Sequence, residues 1–374
     1  MILKDVESYM NDRPDSALTV LQKIDKKSLT SKELKARHAL LLSQALDKNV
    51  IDLQSDSIIA PAVRYFETTD DYGALFKAYY YHGRVLANAD RNIEAMQTYL
   101  KAEDISDKVS DIFAVGLLHA QVGRMYAHYF NYAKAAESFL KAQECYRLVG
   151  KESHVHFCDL NLGQTYFESG QKEKGIALFK DCLEWAHSAG YKEIFESCLD
   201  QLFLYSMTDE IPGIIDECID KYGISSFPSS SLISLGLAYK YASDGDYQKY
   251  DSYIRKAWKE SENESDTTCI TFTEYKVLRY KGDYKKAIAK LERLSHHEDS
   301  LIRVLVKEPL LESKVNHLEA QNAEREATIE NQSLKIKTMI LACIAALLAA
   351  GIIIIQIRHR LKERTMQVER YAGL

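Results

Sequence analysis

Small, aromatic and polar residues recur along this chain at fixed offsets. From Gly83 the series runs Leu86, Ala95, Tyr99, Ala102; from Gly123 it runs Tyr126, Ala135, Phe139, Ala142. From Gly163 it gives Tyr166, Gly175, Phe179 and Cys182. The offsets of 3, 12, 16 and 19 are shared by all three series, and the anchors lie 40 residues apart. Internal periodicity of this length predicts stacked pairs of helices. One pair cannot bury its own apolar faces, so consecutive pairs must stack into a solenoid. The spacing places each glycine on a first helix where the second helix crosses, with the alanine opposite. The aromatic residues are then expected to fill the wider gaps between pairs.

Divergent units flank this centre. Gly245-Asp246-Tyr247 precedes Tyr250, Ile254 and Ala257, and Gly282-Asp283-Tyr284 precedes Ala287, Leu291 and Leu294. Both read as short turns between two helices, matching Phe130-Asn131-Tyr132. At the other end, Arg13-Pro14-Asp15-Ser16-Ala17 opens a helix on an aspartate or serine cap, with Leu21 and Ile24 facing inward. Residues 31–48 and 57–67 form a further pair. Gly223–Ser231 is a loop and a candidate hinge.

The small-aromatic-Ala-x-x-x-Phe-x-x-Ala pattern resembles the tetratricopeptide repeat across about residues 75 to 295. Its period exceeds the usual ~34 residues; longer helices, as over Ala136–Gly150 and Gly175–Gly190, account for the excess. The expected fold is all-α: a right-handed helical-hairpin solenoid, then a long stalk helix and one transmembrane helix. The segments are 1–70 (divergent helical repeats), 71–300 (solenoid), 308–337 (stalk), 338–357 (membrane) and 358–374 (basic tail).

Residues 339–355 carry no charged and no strongly polar side chain. With their neighbours they reach about 20 residues, enough to span a bilayer core. Before them, Pro309 ends the solenoid, and Leu311, Val315, Leu318, Asn322, Ile329 and Ile336 share a heptad seam. Arg325 and Gln332 interrupt that seam, so a homodimeric coiled coil and a single solvated stalk are both open readings. Arg358, Arg360, Lys362, Arg364 and Arg370 follow the apolar run, against Lys335 and Lys337 before it. The positive-inside rule puts that tail in the cytoplasm and the repeats outside. Export needs a signal peptide, and none is visible at Met1. Either the leader lies outside this reading frame, or the repeats are cytosolic and the chain is a passive tail-anchored scaffold.

The order of segments resembles single-pass envelope proteins of Bacteroidota with periplasmic tetratricopeptide repeats. Asn11-Asp12-Arg13-Pro14-Asp15-Ser16-Ala17-Leu18 resembles the start of their mature part. The resemblance implies an inner-membrane sensor or signalling scaffold that passes binding through stalk and membrane helix. Longer relatives carry a DNA-binding or kinase output domain after the cytoplasmic helix; this sequence stops at Leu374.

Composition narrows the chemistry. The formal charge of −6 offers no basic footprint for nucleic acid. Seven scattered cysteines with no CxxC pair fit neither a disulfide framework nor a zinc knuckle. His154, His156 and Cys158 sit two apart, a spacing that points them away from one another on a helix. No catalytic motif stands out, and the expectation is a non-enzyme with no cofactor and no metal. Binding should fall on the face lined by first helices: Lys77, Tyr80, Arg84 and Asn88, then Arg124 and His128, then Gln164, Phe167 and Glu168. Aromatic and basic groups there suit a peptide or protein ligand. The Lys/Asn carboxylate clamp of chaperone-binding repeats is not matched, its places holding Tyr80 with Arg84, Ala120 with Arg124 and Leu160 with Gln164. The partners expected are such a ligand, the lipid bilayer and a second copy of the chain.

Overall fold

Short polar side chains start many of the helices. Asp71 accepts from the Ala74 amide at 3.0 Å, Asp111 from Ala114 at 3.1 Å, and Asn131 from Lys134 at 3.3 Å. Each satisfies an amide that the first helical turn would leave bare. The computed structural model describes residues 2–207, 213–292 and 294. The described residues are helices and connecting turns throughout. They run α1 (Ile2–Tyr9), α2 (Pro14–Lys23), α3 (Lys32–Lys48), α4 (Ala60–Phe66), α5 (Tyr72–Asn88), α6 (Asn92–Glu103), α7 (Ile112–His128) and α8 (Tyr132–Leu148). Then follow α9 (Glu152–Glu168), α10 (Lys172–Ala189), α11 (Lys192–Ser206), α12 (Ile214–Tyr222), α13 (Ser231–Ser243), α14 (Tyr247–Glu260) and α15 (Glu264–Tyr280). Residues 284–292 are helical as well. The long central helices, 17 residues in α7, α8 and α9 and 18 in α10, account for the 40-residue period.

The first helices α5, α7 and α9 end in the same way. The amides of Arg91, Asn131 and Gln171 return to the carbonyls of Leu86, Tyr126 and Tyr166, at 2.9, 2.9 and 2.8 Å. The residue just before each amide is left-handed: Asp90 (φ 55°), Phe130 (φ 59°) and Gly170 (φ 85°). This bond closes a helix over its last turn and aims the chain back along it.

The glycines do something other than the spacing suggested. A Cβ on Gly83 would stand 2.3 Å from the Tyr99 ring, and one on Gly123 or Gly163 would stand 2.7 Å from Phe139 or Phe179. The aromatic at offset 16 therefore lies over its own pair's glycine, inside the hairpin, rather than filling a gap between pairs. Tyr99, Phe139 and Phe179 are among the most buried side chains. Ala95, Ala135, Ala102 and Ala142 are fully buried, Tyr126 is buried and Tyr166 half-buried. In the third unit the residue at offset 12 meets the glycine's backbone directly: a Cβ on Gly175 would be 2.5 Å from the Gly163 carbonyl oxygen.

The flanking units follow the expectation with two differences. Pro14 is the first helical residue of α2, behind Arg13, and no side chain caps that end. Proline suits this position because its missing N–H is one the helix leaves unpaired. The 223–231 segment holds a 3-10 turn at Ile224–Ser226 before Ser230 caps α13. There α12 is only nine residues long, and α11 packs on α13, with Gly236 against the Phe203 side chain.

Among the described residues no helix is long and apolar enough to cross a membrane. The stalk (308–337), the apolar run (338–357), the tail (358–374) and His296-His297 all lie outside those residues.

A cleft between two first helices

First helices are joined to their neighbours by polar rungs. Arg37 on α3 pairs with Asp71, the cap of α5, at 2.9 Å, and Lys77 on α5 with Asp111, the cap of α7, at 3.2 Å. Nearer the opposite end, Arg84 Nε donates to Asp47 Oδ1 at 2.8 Å, and Asn88 to Asp52 at 2.7 Å. Tyr80 is buried, its ring edge-on to Tyr81 at 5.0 Å. Burial pushes its phenol up. The α5 residues nominated from sequence are thus held in joints between units.

The arrangement changes one unit on. Asp47 precedes Arg84 by 37 positions; the same step back from Arg124 reaches Ala87, and from Gln164 it reaches Ala127. Small residues stand where a carboxylate stood, and a cleft of about 610 Å3 opens between α7 and α9. It brings together Arg124, His128, Gln164 and Glu168 of the sequence-nominated set. Among the described residues Arg124 has no ion pair; it donates to Gln121 Oε1 at 3.3 Å, on its own helix. Glu168 accepts from the Tyr205 hydroxyl at 2.9 Å. Burial, then the Glu168 charge, raises the Tyr205 phenol. Phe167 turns away from the cleft into the core, stacked on Tyr205 at 3.5 Å.

Sequence reasoning missed Phe130, Tyr132 and Asn161, which line the same cleft. Phe130 is 60% exposed and stands edge-on to Tyr132 at 6.3 Å. The match to Gly245 and Gly282 places Phe130 in a turn, but nothing in a phenylalanine signals that the turn is left-handed or that its ring lines a cleft. Asn161 donates to the Phe157 carbonyl at 2.6 Å, and the Phe139 ring forms part of the wall.

His154, His156 and Cys158 are spread over different neighbours. His154 lies edge-on to Phe113, and His156 stacks on Trp185 at 3.9 Å. Cys158 is buried, which pushes its thiol up to about 12. Among the described residues no group of three metal-ligating side chains comes together.

No family model matches this chain. No curated protein matches it either. Solved structures do. A Rap protein complexed with competence and sporulation factor is 17% identical, with a TM-score of 0.53 over 83% of this chain and 98% of that one. The apo form of RapI is 16% identical, with a TM-score of 0.56 over 87% and 97%. A signal transduction ATPase with a tetratricopeptide repeat sensor, from Pyrococcus horikoshii, is 16% identical, with a TM-score of 0.51. That match covers 69% of this chain but only 41% of the ATPase. At these identities the likeness is one of fold: an all-helical, tetratricopeptide-like repeat protein.

Proposed function

We propose that this chain is a protein- and peptide-interaction module whose ligand lies in the cleft between α7 and α9. The observation that carries the reading is Arg124, a cation in an open cleft whose expected acidic partner is replaced by Ala87. A concave site with a few convergent polar groups on an apolar wall is the usual form of a ligand pocket. The Rap structure solved with a bound factor shares this fold and supports the reading.

The wider role is that of an envelope sensor. Binding by the repeats would pass through the 308–337 stalk and the 338–357 apolar run to the basic 358–374 tail, within a dimer of the chain. The order of segments and the excess of arginine after the apolar run support it. Reporter fusions at each terminus test the topology, and an N-terminus retained in the cytoplasm would sink it.

The binding reading is tested by selecting displayed random peptides of about ten residues on the full chain, a length that suits a groove ligand. Enriched peptides should lose affinity when Arg124→Ala and Gln164→Ala are introduced. Selection that enriches nothing, or enriches equally on the double variant, removes the cleft as the site.

A further inference from the structure

Phe130 is the aromatic member of a recurring set of left-handed residues that end first helices. Its counterparts at the ends of other first helices are Val50, Asp90, Gly170, Gly245 and Gly282, all with positive φ. Glycine and aspartate tolerate that region; a β-branched valine or a bulky phenylalanine holds it at a cost. At both bulky members, Val50 and Phe130, the bond from the next amide back into the helix imposes that conformation; only Phe130 lines the cleft between α7 and α9. The ring gains little from the fold in exchange, because it is 60% exposed. It stands instead at the cleft, beside Tyr132, and Phe139 lines the same cleft.

We infer that the cleft takes a peptide in which a large apolar side chain lies next to a carboxylate, with Phe130 selecting the side chain and Arg124 holding the carboxylate. The inference rests on the interaction reading above and narrows it to a ligand class. Aromatic rings at a cleft mouth offer area to an apolar side chain and favour edge or offset contacts with another ring. Arg124 supplies a planar donor fork to an oxygen pair. Glu168 lines the same cleft and disfavours a second acid, so the residues upstream should be neutral or basic. The carboxylate is either the chain terminus or an acidic side chain.

The test uses four labelled peptides and fluorescence anisotropy on the full chain. They are Lys-Gly-Ala-Phe as free acid, the same as amide, Lys-Gly-Ala-Ala as free acid, and Lys-Gly-Asp-Phe as amide. The phenylalanine acid should bind at least about tenfold tighter than the alanine acid. A free acid that outbinds both amides assigns the terminal carboxylate; an aspartyl amide that binds as well as the acid assigns the side chain. Phe130→Gly and Phe130→Asn both suit a left-handed turn, and both should erase the phenylalanine preference. Phe130→Gly relieves the left-handed strain and should not lower the melting midpoint, which separates lost selectivity from lost folding. Arg124→Gln should erase the preference for a carboxylate. Equal binding of the phenylalanine and alanine acids overturns the inference, as does a preference that survives Phe130→Gly. If none of the four binds while library-selected peptides do, the inference fails and the interaction reading stands.

Discussion

Arg84 on α5 donates to Asp47 on α3 at 2.8 Å, and one period later Arg124 faces forward from Ala87 with no such acid behind it. The same arginine therefore serves as a joint in one unit and is left available in the next. Both members of the first pair are more than two-thirds buried, with side-chain exposures of 27% and 21%. Arg84→Ala would strand Asp47 and should cost about 1–3 kcal/mol, as for a buried polar group that loses its partner. Arg124→Ala should change stability by no more than about 0.5 kcal/mol. Urea unfolding of the two variants checks the contrast.

Substitutions at the hairpin glycines should separate by what their Cβ meets. Gly123→Ala presses on the Phe139 ring, which can yield, and should cost about 1–3 kcal/mol. Adding Phe139→Leu should recover part of the loss, a coupling that a double-mutant cycle reads directly.

Gly175 gives a sharper case. The repeat pattern has alanine at this offset in the other two units, and a helix interior normally gains about 1 kcal/mol from glycine to alanine. Here the Cβ would meet the Gly163 carbonyl oxygen at 2.5 Å and Phe167 backbone nitrogen at 3.0 Å. Backbone cannot step aside, so Gly175→Ala should lower the melting midpoint, and trimming Phe179 should not rescue it.

Asp111 both caps α7 and pairs with Lys77. Asp111→Asn keeps a capping oxygen and should lose only the exposed ion pair, at most about 1 kcal/mol. Asp111→Ala removes the cap too and should cost about 1 kcal/mol more. Thermal unfolding of the two variants tests the division.

Asp200 makes stability depend on pH. Burial pushes its carboxyl up to about 7, against a hydrogen bond from Ser230, with Glu196 and Asp266 adding negative charge nearby. The folded chain thus holds this proton more tightly than the unfolded chain. The stability it contributes is complete below about pH 4 and is lost as pH rises towards 7. Asp200→Asn retains an acceptor for Ser230 and should remove that slope, stabilising the protein at pH 8 by on the order of 2–4 kcal/mol. Unfolding midpoints measured from pH 4 to pH 8 on both forms decide the matter; parallel curves would contradict it.

The helix pairs were legible because glycine, alanine and aromatic offsets report burial, and Gly170, Gly245 and Gly282 report left-handed turns. What the glycines face was not: periodicity says which residues share a helix face, and only packing shows that Phe139 overlies Gly123. The irregular stretch around α12 was hidden for a related reason, since a nine-residue helix lets α11 reach α13 and puts Gly236 against Phe203 outside the 40-residue register. In the candidate site, Arg84 and Arg124 look equivalent in sequence. They differ through Asp47 and Ala87, which lie 37 positions back and belong to a different row of the repeat.

The most direct test is the affinity of one library-selected peptide for the wild type, Arg124→Ala and Arg84→Ala. The account predicts that Arg124→Ala weakens binding at least about tenfold, or ~1.4 kcal/mol, while Arg84→Ala leaves it within about twofold. Equal losses at both arginines, or a loss confined to Arg84, would contradict the cleft between α7 and α9 as the ligand site.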